Sequence, residues 1–229
     1  MKKEVIVISL GGSLIIPDNI NTKFLREFKK IIKKNTKKYK FVIVCGGGSI
    51  ARKYISALKI LKVKEKFQSF SGISATRTNA RFVSYFFNIN PERGIPHKMR
   101  TLKKYIKRQG IVFCGALEYH PDQSSDSTSA EIAKQFKTNF INLTNVQGLY
   151  NKNPIKYKNA KFIPKISWKK FHKMANKIKF EPGQHFVLDQ KSSKIILENK
   201  IKTYIIGKNL KQLDNVLNNK NFIGTVIQG

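Results

Sequence analysis

The chain has 229 residues, 41% of them hydrophobic, enough for a real core and for one large domain with room for two lobes. A mean hydropathy of -0.36, with no long charge-free apolar run, excludes a membrane span. The 45 Lys and Arg against 13 Asp and Glu give a formal net charge of +32, spread along the chain without a basic block interleaved with aromatics, so it reads as solvated faces that draw anionic nucleotides toward the protein.

Met1-Lys2-Lys3-Glu4 before Val5-Ile6-Val7-Ile8 has the outline of a secretion signal. Its apolar run is too short and leads into Gly11-Gly12-Ser13, so residues 4–10 read as a first strand. The 3.6-residue period over 22–38 puts Phe24, Phe28, Ile31 and Ile32 on one face of a helix and lysines on the other. A strand over 40–45 runs into three glycines and a helix carrying Arg52. The aromatic-rich stretch Thr76 to Asn88 reads as a buried helix, and Pro91 to Pro96 as irregular. A strand over 110–115 precedes a polar loop and a helix over 126–136. Asp126 or a preceding serine caps that helix, and Ala130, Ile132, Ala133 and Phe136 face inward. Strands follow at 139–144, 202–206 and 222–227, with an irregular stretch at 151–165 and a helix starting near Asp189 that runs through Ile195 and Ile196. Short β-branched runs alternating with longer periodic segments predict an α/β fold with a mainly parallel sheet. An N-terminal lobe over about 1–135 and a C-terminal lobe over about 136–229 fit this order within a single domain. Cys45 and Cys114 each close an apolar strand just before a glycine, as small buried residues do, and two such cysteines point to a reduced, cytoplasmic setting.

Four loops carry the chemistry. The run Gly46-Gly47-Gly48-Ser49-Ile50-Ala51-Arg52 joins a strand to a helix. Its glycines admit a close ligand, its helix start offers N–H groups and a positive dipole end, and Arg52 adds a bidentate clamp. A tight strand–helix turn is the plainer alternative. Gly11-Gly12-Ser13 repeats the pattern more weakly. His120-Pro121-Asp122-Gln123-Ser124-Ser125-Asp126 enters a helix and suits an anion or a sugar, or is an ordinary capped turn. Thr144-Asn145-Val146-Gln147-Gly148-Leu149-Tyr150, with Asn153-Pro154 after it, offers polar groups and a ring to a nucleobase, or is a β-turn with Tyr150 in the core.

In combination and order these loops resemble the amino-acid-kinase family, and within it the uridylate kinases of the archaeal type. The resemblance spans nearly the whole chain. It rests on Gly11-Gly12-Ser13, the Gly-Gly-Gly-x-x-Ala-Arg-x-Tyr run at 46–54 and Thr76-Arg77-x-Asn79-Ala80. His120-Pro121 leading to Asp126, Thr144-Asn145-Val146-x-Gly148-x-Tyr150, Pro182-Gly183, Leu188-Asp189 and Lys194-Ile195-Ile196 complete it. Carboxylate kinases of the family usually carry Thr-Asp where this chain has Thr144-Asn145. The resemblance implies a three-layer α/β/α sandwich with a mainly parallel central sheet, a homo-oligomer (a hexamer), Mg²⁺ with ATP, and the reaction ATP plus UMP to ADP plus UDP in pyrimidine biosynthesis.

By the same resemblance Gly12, Ser13, Gly48 and Arg52 contact ATP phosphates and the moving phosphoryl group. Thr144, Asn145, Tyr150 and Asn153 surround the ATP nucleoside. Gly47, Ser69, Tyr119, His120, Pro121, Asp122, Gln123, Ser124 and Ser125 hold UMP. Arg52 stabilises charge, no general base is needed, and no protein ligand for a metal is assigned. The N-terminal lobe is then the UMP side and the C-terminal lobe the ATP side.

The chain departs from the family pattern at Ser9, where many members have lysine, and at Ser69, Gln147 and Asn153, each in place of an aspartate. Gly115-Ala116 replaces a glycine pair and is followed by an apparent insertion, Leu117-Glu118-Tyr119, while Asp122-Gln123 replaces Gly-His. These departures keep two alternatives beside UMP phosphorylation: a related small-molecule kinase, and a nucleotide-binding regulatory protein with weakened catalysis. Nucleic-acid binding is a further alternative that rests on charge alone.

Overall fold

The computed structural model describes residues 3–89, 94–121, 124–177 and 187–229. Its first half runs β1 (Glu4–Leu10), α1 (Gly12–Ile15), α2 (Thr22–Asn35), β2 (Tyr39–Cys45), α3 (Gly48–Ile60), α4 (Glu65–Phe86), α5 (Met99–Arg108), β3 (Ile111–Cys114) and α6 (Ser125–Phe136). The second half runs β4 (Phe140–Leu143), β5 (Leu149–Tyr150), β6 (Phe162–Ile163), β7 (Lys165–Ile166), α7 (Trp168–Ala175), α8 (Gln190–Glu198), β8 (Thr203–Ile206), α9 (Leu210–Leu217) and β9 (Thr225–Ile227).

Among the described residues seven strands form one sheet in the order β3-β2-β1-β4-β8-β9-β7. All neighbours are parallel except β8 and β9. The strands are buried on both faces, which is why they read as continuous apolar runs. Alternate residues enter two separate cores. Ile6, Ile8, Leu10, Phe41, Ile43 and Phe113 pack under α2, α4 and α9, with Phe24, Phe28, Val83 and Leu213 from those helices. Val7, Val42, Val44, Val112 and Phe140 pack on the other face with Leu102 of α5, Ile132 of α6, Phe171 of α7 and Ile196 of α8. This is a three-layer α/β/α sandwich. The cysteines divide between the layers: Cys45 points into the first core and Cys114 into the second.

Several elements differ from the sequence reading. The helix expected from Thr76 starts at Glu65, because its first half packs along α3 and keeps exposed rings such as Phe67, which blurs the apolar period. The stretch 151–165 includes β6 and the first residue of β7, and β6 pairs antiparallel with β5 to close a loop over 151–161. Helices α5, α7 and α9 were not read at all, and α1 is a single turn directly after Gly11. Of the two caps the sequence offers for α6, the preceding serine is the one used: Ser124 caps the helix, with Ser127 completing a capping box. Part of the irregular 91–96 stretch and the Pro182-Gly183 pair lie outside the described residues.

Strands β1 and β2 end level, with Leu10 opposite Cys45, so their glycine loops emerge side by side. The ladder continues past the ends: Gly46 N–H donates to the Leu10 carbonyl at 2.9 Å and Gly11 N–H to the Leu143 carbonyl at 2.9 Å. The two loops touch backbone to backbone. A Cβ on Gly12 would sit 2.6 Å from the Gly48 Cα, and one on Gly46 2.5 Å from the Gly12 nitrogen. Gly48 has φ +62°, a conformation costly for other residues, and a Cβ there would meet the Gly12 oxygen at 2.6 Å. The glycines are therefore required first by one another. Gly12→Ala is expected to lower stability by about 2 kcal/mol or more through forced separation of the loops. Thermal unfolding followed by circular dichroism should show a melting point several degrees lower, and an unchanged one would refute the interlock.

Candidate functional site

Because β3, β2, β1, β4 and β8 are mutually parallel, the loops after them leave the same edge of the sheet. In spatial order this edge carries loop 115–121, loop 46–48, loop 11–13, loop 144–148 and Gly207. Every predicted site residue in these loops therefore stands on one rim, and the chain order reverses at β1, where open α/β sheets collect ligands.

At the centre, α1 begins after Gly11 and α3 after Gly47, and neither helix has a side-chain cap. The N–H groups of Gly12, Ser13, Gly47 and Gly48 have no acceptor among the described residues. Two uncapped helix starts held together present free N–H groups of the kind that suit an anion. Asn79 Nδ2 fixes the second loop by donating to the Gly46 carbonyl at 2.8 Å, and Ser49 N–H donates to the Ile16 carbonyl at 3.1 Å. The Arg52 guanidinium rests against the Pro17 carbonyl at 3.4 Å, part exposed and held by little else. Ser49 Oγ, in the first turn of α3, is buried without a hydrogen-bond partner among the described residues.

On the β3 side, the loop is tied down by α4. Thr76 Oγ1 accepts the Ala116 N–H at 3.0 Å. Arg77 donates from Nε to the Ala116 carbonyl at 3.2 Å and from its terminal nitrogen to the Leu117 carbonyl. Thr76-Arg77 thus shapes the loop through its backbone. Ser69 lies on α4, half-buried, next to Phe70, whose ring packs against Tyr119 at 5.0 Å. His120 and Pro121 are exposed on the rim, and Ser125 opens α6. Asp122 and Gln123 lie outside the described residues. Ser124 is turned inward, its hydroxyl donating to Asp189 and accepting the Asp126 N–H at 3.0 Å.

On the β4 side, Thr144 is half-buried and Asn145 exposed, with Thr144 Oγ1 3.4 Å from Asn145 Oδ1. Tyr150 sits half-buried in β5 against Phe162 at 5.4 Å, its hydroxyl 3.5 Å from Gln147 Oε1. Asn153 Oδ1 accepts the Ile155 N–H at 2.9 Å, so this side chain builds the loop at 151–161.

Sequence reasoning assigned no site role to the pair Asp126 and Asp189. Ser9 Oγ, at the end of β1, donates to Asp126 Oδ1 at 2.9 Å. Burial and the nearby Asp189 charge push the Asp126 carboxyl from 3.8 up to about 7, against the opposing Ser9 hydrogen bond. No lysine pairs with either acid among the described residues, despite the basic surface.

The profile of the Amino acid kinase family matches residues 4–207, and the chain belongs to that family. It is 32% identical to the uridylate kinase of Thermoplasma volcanium over 228 residues, covering 98% of each chain. It is 31% identical to the uridylate kinase of Thermococcus onnurineus, covering 97% of this chain and 99% of the relative. Among solved structures it is similar to the uridylate kinase of Archaeoglobus fulgidus, with TM-score 0.81 and 30% identity over 97% of this chain and 99% of that one. The UMP kinase of Ureaplasma parvum shares the fold, with TM-score 0.80 at 22% identity and full coverage of both chains.

The Asp126 shift carries a sign. Above its ordinary range the unfolded carboxyl ionises while the folded one keeps its proton, so stability falls as pH rises from about 4 through about 7. Asp126→Asn removes that penalty. Its melting point is expected to exceed that of the parent by several degrees near pH 8.5 and to match it near pH 4. Equal differences at both pH values would contradict this.

Proposed function

We propose that the chain is a UMP kinase, transferring the γ-phosphoryl group of ATP to UMP to give UDP in pyrimidine nucleotide biosynthesis. The observation that carries this is the row of loops on one sheet edge, with the two uncapped, glycine-linked helix starts at its centre. Adjacent strands are about 4.8 Å apart, so β3 to β4 spans roughly 14 Å, a distance suited to two nucleotides meeting phosphate to phosphate. The archaeal relatives named uridylate kinase support the same reading.

In this reading residues 1–135 form the UMP side and 136–229 the ATP side. The loop after β3, with Ser69, Tyr119, His120 and Pro121, receives UMP, and Gly47 contacts its phosphate. The N–H groups of Gly12, Ser13 and Gly48 and the Arg52 guanidinium take the charge of the ATP phosphates and the moving group. Thr144, Asn145, Tyr150 and Asn153 surround the ATP nucleoside. Phosphoryl transfer asks for in-line placement and charge neutralisation, and the UMP phosphate oxygen is already a nucleophile, so no general base is assigned. In this reading Mg²⁺ arrives on the ATP phosphates. When bound, it offsets phosphate charge.

The reading extends to a homo-oligomer, a hexamer, and to the cytoplasm. Ile60, Leu61 and Phe67, 80%, 72% and 53% exposed where α3 turns into α4, offer an apolar face for a second copy. The expected result of Leu61→Asp is a smaller sedimenting species at equal concentration. An unchanged mass would remove that face from the interface.

An ADP-release assay over UMP, CMP, AMP and dTMP tests the activity. UMP is expected to be preferred, and Arg52→Ala to cut turnover by about 100-fold or more with an unchanged melting point, since Arg52 makes one long contact to Pro17. Equal rates on all four acceptors would replace UMP kinase by a related kinase. Nucleotide binding without turnover would replace it by a regulatory protein.

A further inference from the structure

Asp189 belongs to the ATP side by chain position, yet two of the three hydrogen bonds to its carboxylate come from the other side. It is 3% exposed. One carboxylate oxygen, Oδ1, accepts the Ser192 N–H at 2.6 Å and caps α8. The other, Oδ2, accepts the hydroxyls of Ser127 at 2.7 Å and of Ser124. Ser124 ends the loop between β3 and α6, and the Ser127 hydroxyl also accepts the Ser124 N–H at 3.1 Å. A second strap runs the same way, from Lys191 Nζ to the Pro121 carbonyl at 3.4 Å.

Capping α8 does not by itself call for a buried charge. The other helices with side-chain caps use Asn21, Ser124, Ser167 and Asn209, all neutral. A buried carboxylate without a cation is costly unless donors surround it. Here two of its donors come from the β3–α6 junction, so the carboxylate is satisfied only while that junction is docked. The dependence works in both directions: the charge that needs the two hydroxyls also fixes them.

We propose that Asp189 is a positioning residue for the acceptor nucleotide: through Ser124 and Ser127 it holds the loop after β3 in its binding geometry. This rests on the reading that the loop receives UMP. Asp189 touches neither nucleotide and acts through the serines.

Asp189→Asn tests this closely. The amide oxygen retains the α8 cap, while an NH₂ group replaces the oxygen that accepts two hydroxyls. The expected result is a KM for UMP raised about tenfold or more, as for loss of a hydrogen bond to a charged group, with the KM for ATP within about twofold. Hydrogen exchange of the amides at 124–130 should accelerate while the strands stay protected. Ser127→Ala should shift both readouts in the same direction by a smaller factor. An unchanged UMP KM, or UMP and ATP KM rising together, overturns the proposal. If Asp189→Asn does not fold, Ser127→Ala decides, and parental UMP KM and exchange in that variant overturn it. Absence of UMP turnover in the parent protein would defeat the functional reading instead, and exchange at 124–130 then decides whether Asp189 anchors the loop.

Discussion

Two lengths of bare backbone, one after β1 and one after β2, lie against each other with no side chain between them, and the rest of the site is built outward from that contact. Gly12, Gly46 and Gly48 leave no room for a Cβ. Their closeness brings the starts of α1 and α3 together, and it is the pair of helix starts, more than either alone, that concentrates unpaired N–H groups in one place. The sheet supplies the precondition: parallel pairing with level strand ends delivers both loops to the same edge. Glycine here serves the protein's own packing before it serves any ligand.

The sequence made the strands legible because burial on both faces leaves unbroken β-branched runs. Strand β1 was read to the residue, and β2, β3, β4 and β8 to within a residue or so at each end. Helix α2 was legible because Phe24, Phe28 and Ile32 repeat against lysines. Helix α5 was not, since only Leu102 and Ile106 are buried in a ten-residue segment crowded with basic side chains. The glycine loops were legible as strand-to-helix junctions, but the reason for their glycines was not, because it lies in contacts between loops. The polar loop before α6 reads as an anion or sugar site or as an ordinary capped turn. Its serine at 124 faces inward, toward a carboxylate far along the chain that local spacing does not reveal.

Charge is distributed in an uneven way that composition conceals. A protein with a net charge of +32 holds Asp126 and Asp189 among serine hydroxyls, with no lysine paired to either among the described residues. Ser9 donates a hydrogen bond to Asp126, and burial together with the Asp189 charge still pushes that carboxyl up to about 7. Basic surface and acidic interior thus do different work: the first attracts anions in general, and the second ties β1, α6 and α8 into one frame behind the rim.

The split placement of the two cysteines has a consequence for chemical durability. Val44 pairs with Cys114, so Cys45 and Cys114 sit on neighbouring strands, yet their sulfurs enter opposite layers of the sandwich. A bond between them would have to pass through the sheet, and burial pushes both thiols up, Cys114 to about 12, which keeps them in the unreactive form. An oxidising episode therefore has no internal cross-link to make, and the rim above β2 and β3 is insulated from the redox state of its surroundings.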